Sequence, residues 1–168
     1  MKKIFLFIAL MMFIISNINA QKKSKLGFGV EADFTFGGIN EREGVGYGIS
    51  SVYQHPLTSK LNLTGSLGFS SIKIKQPDDS KASAGYVPIK VGLKYYFTKK
   101  FFGSGELGSS LAVNKYGETW FLYSPGIGFE FPVSNKKSIE LGFRYEAWSY
   151  SKHTNGFLGL KLAFNLGL

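Results

Sequence analysis

The last eleven residues, L-G-L-K-L-A-F-N-L-G-L (158–168), alternate without a break. Leu158, Leu160, Leu162, Phe164, Leu166 and Leu168 share one parity; Gly159, Lys161, Ala163, Asn165 and Gly167 share the other. A period of two puts successive side chains on opposite faces of an extended strand and leaves no helical stripe. A chain that repeats this pattern along its length is confined to all-β architectures.

It does repeat. Leu26, Phe28, Val30, Ala32, Phe34 and Phe36 alternate with Gly27, Gly29, Glu31, Asp33 and Thr35. Val45, Tyr47, Ile49 and Tyr53 oppose Gly46, Gly48, Ser50 and Gln54, and Leu61, Leu63, Leu67 and Phe69 oppose Asn62, Thr64, Ser66 and Gly68. Val87, Ile89, Val91, Leu93, Tyr95 and Phe97 face away from Lys90, Gly92, Lys94 and Tyr96. Two further segments, Phe121 to Phe131 and Ile139 to Tyr145, read the same way, with Ser124, Glu130, Glu140, Arg144 and Glu146 on the polar parity. Short connections (H-P-L-T-S-K, T-K-K, P-V-S-N-K-K) alternate with longer ones (G-G-I-N-E-R-E-G, Q-P-D-D-S-K-A-S-A-G), which predicts an antiparallel up-and-down meander of about eight strands. Proline cannot donate to a ladder, so Pro125 predicts a bulge or an early end to pairing, while Pro88 falls at the start of its strand.

The remaining strand contains Gly103-x-Gly105-x-x-Gly108, the spacing of a dinucleotide-binding turn. That fingerprint requires a strand, a tight turn and then a helix, with an acid about 20 residues on. Here Phe101, Leu107, Leu111 and Val113 alternate with Ser104, Glu106, Gly108 and Ser110, so the glycines run through a strand and the nucleotide reading fails.

The N-terminus stands apart. Lys2 and Lys3 precede an apolar run from Ile4 to Ile15, then S-N-I-N and Ala20, the order of a secretory signal peptide and too short for a spanning helix. The expected organisation is a signal peptide over 1–20 and one β domain over 21–168. The chain has no cysteine, so neither a disulfide framework nor a lipidated cysteine is available.

Alternation alone does not say which face points out. The apolar stripes are almost wholly Leu, Ile, Val, Phe and Tyr, uninterrupted by charge, whereas the opposite parity is Gly, Ser and isolated ions. A soluble barrel needs a densely polar exterior; a glycine-rich face suits the crowded interior of a small membrane barrel. Phe36, Tyr47, Phe121 and Tyr145 fall toward the long-connection end, and Tyr53, Phe97, Phe101 and Phe131 toward the short-turn end, as two interfacial girdles require. Since every backbone polar group in hydrocarbon must be paired, the first strand is expected to close on the last. A soluble periplasmic β-barrel or sandwich with a small ligand is the alternative.

Over its mature length the chain resembles the small eight-stranded outer-membrane β-barrels of the OmpA and OmpX type, in architecture and in pieces such as L-G-F-R-Y-E (141–146) and P-G-I-G-F-E-F (125–131). The resemblance implies a closed transmembrane barrel in the outer membrane of a Gram-negative-type bacterium. It also implies recognition of the C-terminal strand by the barrel assembly machinery, although this chain ends in Leu168 where the family usually has an aromatic.

With the polar parity inward, Glu31, Asp33, Glu106, Glu130, Glu140 and Glu146 share the lumen with Lys90, Lys94, Arg144 and Lys161, and buried charges of this kind are expected to pair across it. The formal charge of +9 therefore resides elsewhere, at Lys22, Lys23, Lys25, Lys60, Lys99, Lys100, Lys136 and Lys137, on the N-terminal segment and short turns, where side chains can reach lipid phosphates. At that place the charge does not point to nucleic acid. An eight-stranded lumen is filled by its own side chains, so the expectation is a plugged, monomeric scaffold whose loops meet an extracellular partner.

No enzyme signature is complete. Y-S-K-H-T-N-G around His153 faintly resembles the His-x-Ser-Asn pattern of barrels that remove acyl chains from lipid A, but Asn155 stands where the nucleophile belongs and no acid follows to orient the histidine. The charged inner parity also argues against the apolar pocket of a palmitate-transferring barrel. His55 reads as a turn residue, no cofactor is called for, and with two distant histidines and no cysteine only the lumenal carboxylates could serve a metal, so no metal site is expected. Asn62-Leu63-Thr64 matches a glycosylation acceptor but falls within a strand.

Overall fold

The computed structural model describes residues 23–35, 44–75, 81–113, 118–151 and 153–168. The signal-peptide segment, Lys22 and Phe36 lie outside them. The alternating segments become β1 (Lys25–Thr35), β2 (Gly44–Pro56), β3 (Leu61–Lys75), β4 (Lys81–Tyr96), β5 (Phe101–Ala112), β6 (Trp120–Ser134), β7 (Lys137–Tyr150) and β8 (His153–Gly167). Each pairs antiparallel with its neighbours in sequence, and β1 returns to β8, making a closed barrel. The closing seam runs from Lys25 opposite Gly167 to Thr35 opposite Phe157, and the Leu168 N–H donates to the Ser24 carbonyl at 2.8 Å. Closure leaves no free strand edge.

Charged and large apolar side chains separate by parity through the middle of the wall. Val91 is 63% exposed, whereas Lys94, three residues along β4, is 4% exposed. Apolar side chains stand outside and ionic ones inside, the inverse of a water-soluble core.

The strands are longer than the roughly 10 residues that a bilayer core demands, reaching 16 in β4. At ~3.3 Å per residue and a tilt of ~40°, the longest would extend ~40 Å along the axis, beyond a ~30 Å hydrocarbon core. The extra length comes from K-I-K and K-A-S-A-G, where Ile74 pairs with Ala82 and Lys75 with Lys81, so the expected long connection over 76–85 shrinks to 76–80. At this end the faces exchange character. Outward hydroxyls bond to one another, Ser71 to Ser83 at 3.0 Å and Ser149 to Thr154 at 3.1 Å. Inward, Ile72, Leu122, Trp148 and Phe157 are buried together, flanked by Tyr86 and Trp120. Past the apolar belt the wall reverts to the pattern of an ordinary water-soluble barrel.

Both prolines behave differently from expectation. Pro88 sits mid-strand, faces inward and pairs with Ser110, because β4 starts six residues earlier than the alternation suggested. Pro125 produces no bulge: it pairs with Gly105, and β6 keeps one register against β7 from Phe121–Ser149 to Pro132–Ser138. A proline withholds one N–H, and the rungs on either side hold the register. The irregularity lies instead between Pro132 and Ser134, next to the short β6–β7 turn.

Gly108 explains the motif at 103–108. A Cβ on it would come within 2.0 Å of the Ile89 carbonyl oxygen, and one on Gly92 within 2.3 Å of the Gly105 oxygen, so β4 and β5 approach too closely for side chains at those inward positions. The glycines allow curvature rather than cradling a phosphate. At the far end β7 and β8 join through a tight turn in which Ser151 adopts a φ of 53°.

Candidate functional site

All ten charged residues selected from the sequence point into the lumen, and the barrel gathers them into two layers. In the first, the Arg144 guanidinium is the hub: Nη2 lies 2.8 Å from Asp33 and 3.0 Å from Glu31, and Nε 3.1 Å from Glu146. Lys90 adds contacts at 2.7 Å to Glu146 and 3.4 Å to Glu106, and Lys161 approaches Glu31 at 3.5 Å. Neutral donors complete the shell, with Ser50 donating to Glu31 at 2.6 Å and the Trp148 indole to Glu146 at 2.8 Å. A planar guanidinium presents several fixed donors at once, which suits it to serve three carboxylates.

The second layer lies toward the short turns. Lys94 reaches Glu140 at 2.7 Å, and the Asn165 amide donates to the same carboxylate at 3.0 Å. Lys94 also lies 4.3 Å above the Phe102 ring, within cation–π range. Glu130 accepts from Lys25, from the Tyr96 hydroxyl and, at 2.5 Å, from Ser138.

Lys25 corrects the sequence reading, which grouped it with the lipid-facing lysines. It pairs with Glu130 in the lumen mouth because its parity is that of Glu31 and Asp33. Tyr96, Ser138, Asn165 and Trp148 were also missed as partners; all sit on the inward parity, where alternation would have found them.

Between the charges and the wall of β2 to β6 a cavity of about 50 Å³ remains, lined in part by Thr64, Ser66 and Ser124. The hydroxyls of these three residues have no hydrogen-bond partner within the protein. A space of this size admits a few water molecules, and the hydroxyls supply the polar partners those would need.

Outside, the aromatics form connected rows. Tyr95, Phe97, Phe101, Phe129 and Phe131 follow one another at centroid spacings of 5.3, 5.4, 5.1 and 6.2 Å around the short-turn end. Tyr53 lies at the same end and Tyr47, Phe121 and Tyr145 toward the other, all exposed on the outer face. Lys73 sits 5.2 Å from the Tyr47 ring. Lys23, Lys60, Lys99, Lys100, Lys136 and Lys137 are exposed at the short-turn rim.

No protein-family model matches the chain, and no curated protein matches it in sequence. Solved structures do match it in shape. Neisserial surface protein A superposes with a TM-score of 0.59 at 11% identity, covering 86% of this chain and 97% of that one. Ail, the attachment invasion locus protein of Yersinia pestis, solved with the heparin analogue sucrose octasulfate, gives 0.56 at 13% identity over 88% and 100%. OprG of Pseudomonas aeruginosa gives 0.56 at 10% over 88% and 96%. This is the fold of the small eight-stranded outer-membrane barrels. At such low identity the outer-membrane barrel fold is what is shared, and the lumen network is argued from this chain's own residues.

Within the outer-membrane barrel fold the remaining sequence candidates take modest places. His153 is exposed at the start of β8 opposite Tyr150, with Asn155 opposite Trp148. His55 is part of β2 rather than a turn: it pairs with Leu63, stacks on Tyr53 at 6.4 Å and shares a hydrogen bond with Ser24 at 3.2 Å. Asn62 and Thr64 face inward and are buried. Among the described residues no group of His, Cys, Asp and Glu is arranged to hold a metal ion.

Proposed function

We propose that the chain is an exported, integral outer-membrane barrel with a plugged, charged lumen, acting as a structural or loop-mediated, adhesion-type protein rather than as an enzyme. One observation carries this reading. The outward wall, with Val30, Ile49, Leu67, Val91, Leu107, Ile127, Leu141 and Leu162 about half exposed or more on β1 to β8 in turn, is a continuous apolar belt, while Lys90, Lys94, Glu140 and Glu146 are buried inside. Soluble monomers rarely expose apolar patches beyond a few hundred Å². A soluble periplasmic ligand-binding barrel would need the reverse arrangement.

Plugging follows from the crossing ion pairs and from side chains at both ends. Leu122, Trp148 and Phe157 fill one end, Tyr96 and Phe102 the other, and the cavity between them is small. The signal-peptide pattern over 1–20 supports export, and the unbroken β8 supports recognition by the assembly machinery. The strand ends Thr35, Gly44, Lys75, Lys81, Ala112 and Trp120 lie at one end of the barrel, and the segments that join them are the natural place for an extracellular partner. A sulfated sugar bound to Ail is a property of that protein; it makes sulfated glycans a reasonable first probe here.

The decisive experiment expresses the full chain and compares unboiled with boiled samples of carbonate-washed outer membrane on a denaturing gel. Retention with a heat-dependent shift is expected, together with no stable conductance in planar bilayers. Extraction by carbonate would overturn the membrane reading, and reproducible large channels would overturn the plug.

A further inference from the structure

The outer wall lacks side chains at two consecutive outward positions of β5, Gly103 and Gly105. Across β4, β5 and β6 the outward row Leu93, Gly105, Pro125 lies beside the row Tyr95, Gly103, Ile127, one step nearer the short turns. A Cβ on Gly105 would meet nothing within 4 Å, and one on Gly103 would touch the Phe97 ring at 3.0 Å. The glycines thus form the floor, and their neighbours the walls, of an open groove of about 690 Å³ lined mainly by apolar and aromatic side chains.

The groove runs down to Leu61 and Phe97, at the edges of two adjacent turns. Those turns, 57–60 and 97–100, carry Lys60, Lys99 and Lys100 and no acid. The Tyr96 N–H donates to the Lys60 carbonyl at 2.8 Å, which holds the first turn against the end of β4. An apolar slot that ends at turns carrying lysines and no acid is complementary to an amphipathic anion. A zwitterionic headgroup carries its own cation and gains less from the same lysines.

We propose that this groove binds an anionic glycerophospholipid, with one acyl chain along Gly103 and Gly105 and the phosphate toward Lys60, Lys99 and Lys100. The inference rests on the membrane reading above and adds a defined lipid site to it. The acyl chain fills a gap that packed neighbours leave in the wall, and the lysines select net negative charge at the phosphate level.

The full chain would be reconstituted in phosphatidylcholine bilayers containing a trace of phosphatidylglycerol or of phosphatidylcholine with a diazirine-bearing acyl chain. Insertion is first verified by the heat-dependent gel shift, and adducts are then mapped by mass spectrometry. Phosphatidylglycerol adducts are expected to concentrate around Tyr95 and Tyr145, roughly five-fold above the opposite wall near Leu26. Gly105→Leu should remove that excess. Gly65→Leu, at another outward glycine with nothing within 4 Å, should leave it intact. Lys60→Gln, Lys99→Gln and Lys100→Gln combined should lower it to the phosphatidylcholine level. A heat-modifiable barrel labelled uniformly, labelled equally by both lipids, or cross-linked through the groove to a second copy overturns the proposal. A wild-type chain without the heat shift overturns the membrane reading and the groove with it.

Discussion

Lys94 on β4 and Glu140 on β7 meet across the lumen at 2.7 Å, both buried, and so tie together two walls that share no backbone hydrogen bond. Removing one partner leaves an uncompensated buried charge, which is destabilising by about 3–5 kcal/mol. Glu140→Leu is expected to lower the stability of the micelle-refolded barrel by that amount in urea titration. Lys94→Met with Glu140→Leu should recover most of it; a double variant no better than the single would refute the pairwise account.

Arg144 serves Asp33, Glu31 and Glu146, while Lys161 also approaches Glu31 and Lys90 also contacts Glu146. Arg144→Leu therefore leaves Asp33 the worst compensated, at a cost of about 3–5 kcal/mol. Adding Asp33→Asn to that variant should raise the urea midpoint again, whereas adding Glu146→Gln should not, because Lys90 would then lose its closest partner.

The exchange of faces along the wall is testable on one strand. Val91→Arg places a cation in the apolar belt and is expected to cost about 2–4 kcal/mol in lipid vesicles, while Ser83→Arg, beside the hydroxyl pair with Ser71, should cost about 0–1 kcal/mol. Equal costs at the two positions would mean that the belt extends further than its side chains indicate.

Gly108 and Gly105 lie three residues apart with opposite tolerances. A side chain at Gly108 collides with the Ile89 backbone; one at Gly105 meets open space. Gly108→Leu should abolish the compact, heat-modifiable band and Gly105→Leu should preserve it.

Strands, closure and the outward parity were legible because extended backbone alternates by geometry, and no local exception disturbs Leu158 to Leu168 or Val87 to Tyr95. Lys25 was misplaced because its sequence neighbours, Lys22 and Lys23, suggested a basic arm, when its parity tied it to Glu31. The start of β4 reads as a loop because Ser83 and Gly85 stand outside the apolar belt, where an outward polar residue is as suitable as an apolar one elsewhere. The inner apolar cluster is not legible in any one strand: Ile72, Leu122, Trp148 and Phe157 come from four strands and meet only when the strands curl. Which cation meets which carboxylate depends on the stagger between strands, and no single strand contains that information.

A wall whose outer surface changes from Val91 to Ser83 within eight residues of one strand has only one comfortable depth. Raised or lowered, the barrel would either immerse hydroxyl pairs and Lys73 or leave aromatic rings in water, so it carries its own waterline. Hydrophobic mismatch is accommodated by the softer component, and a closed, cross-braced cylinder is the stiffer of the two. The surrounding lipid is then what must thin or thicken, and each molecule imposes a local membrane thickness on its neighbours.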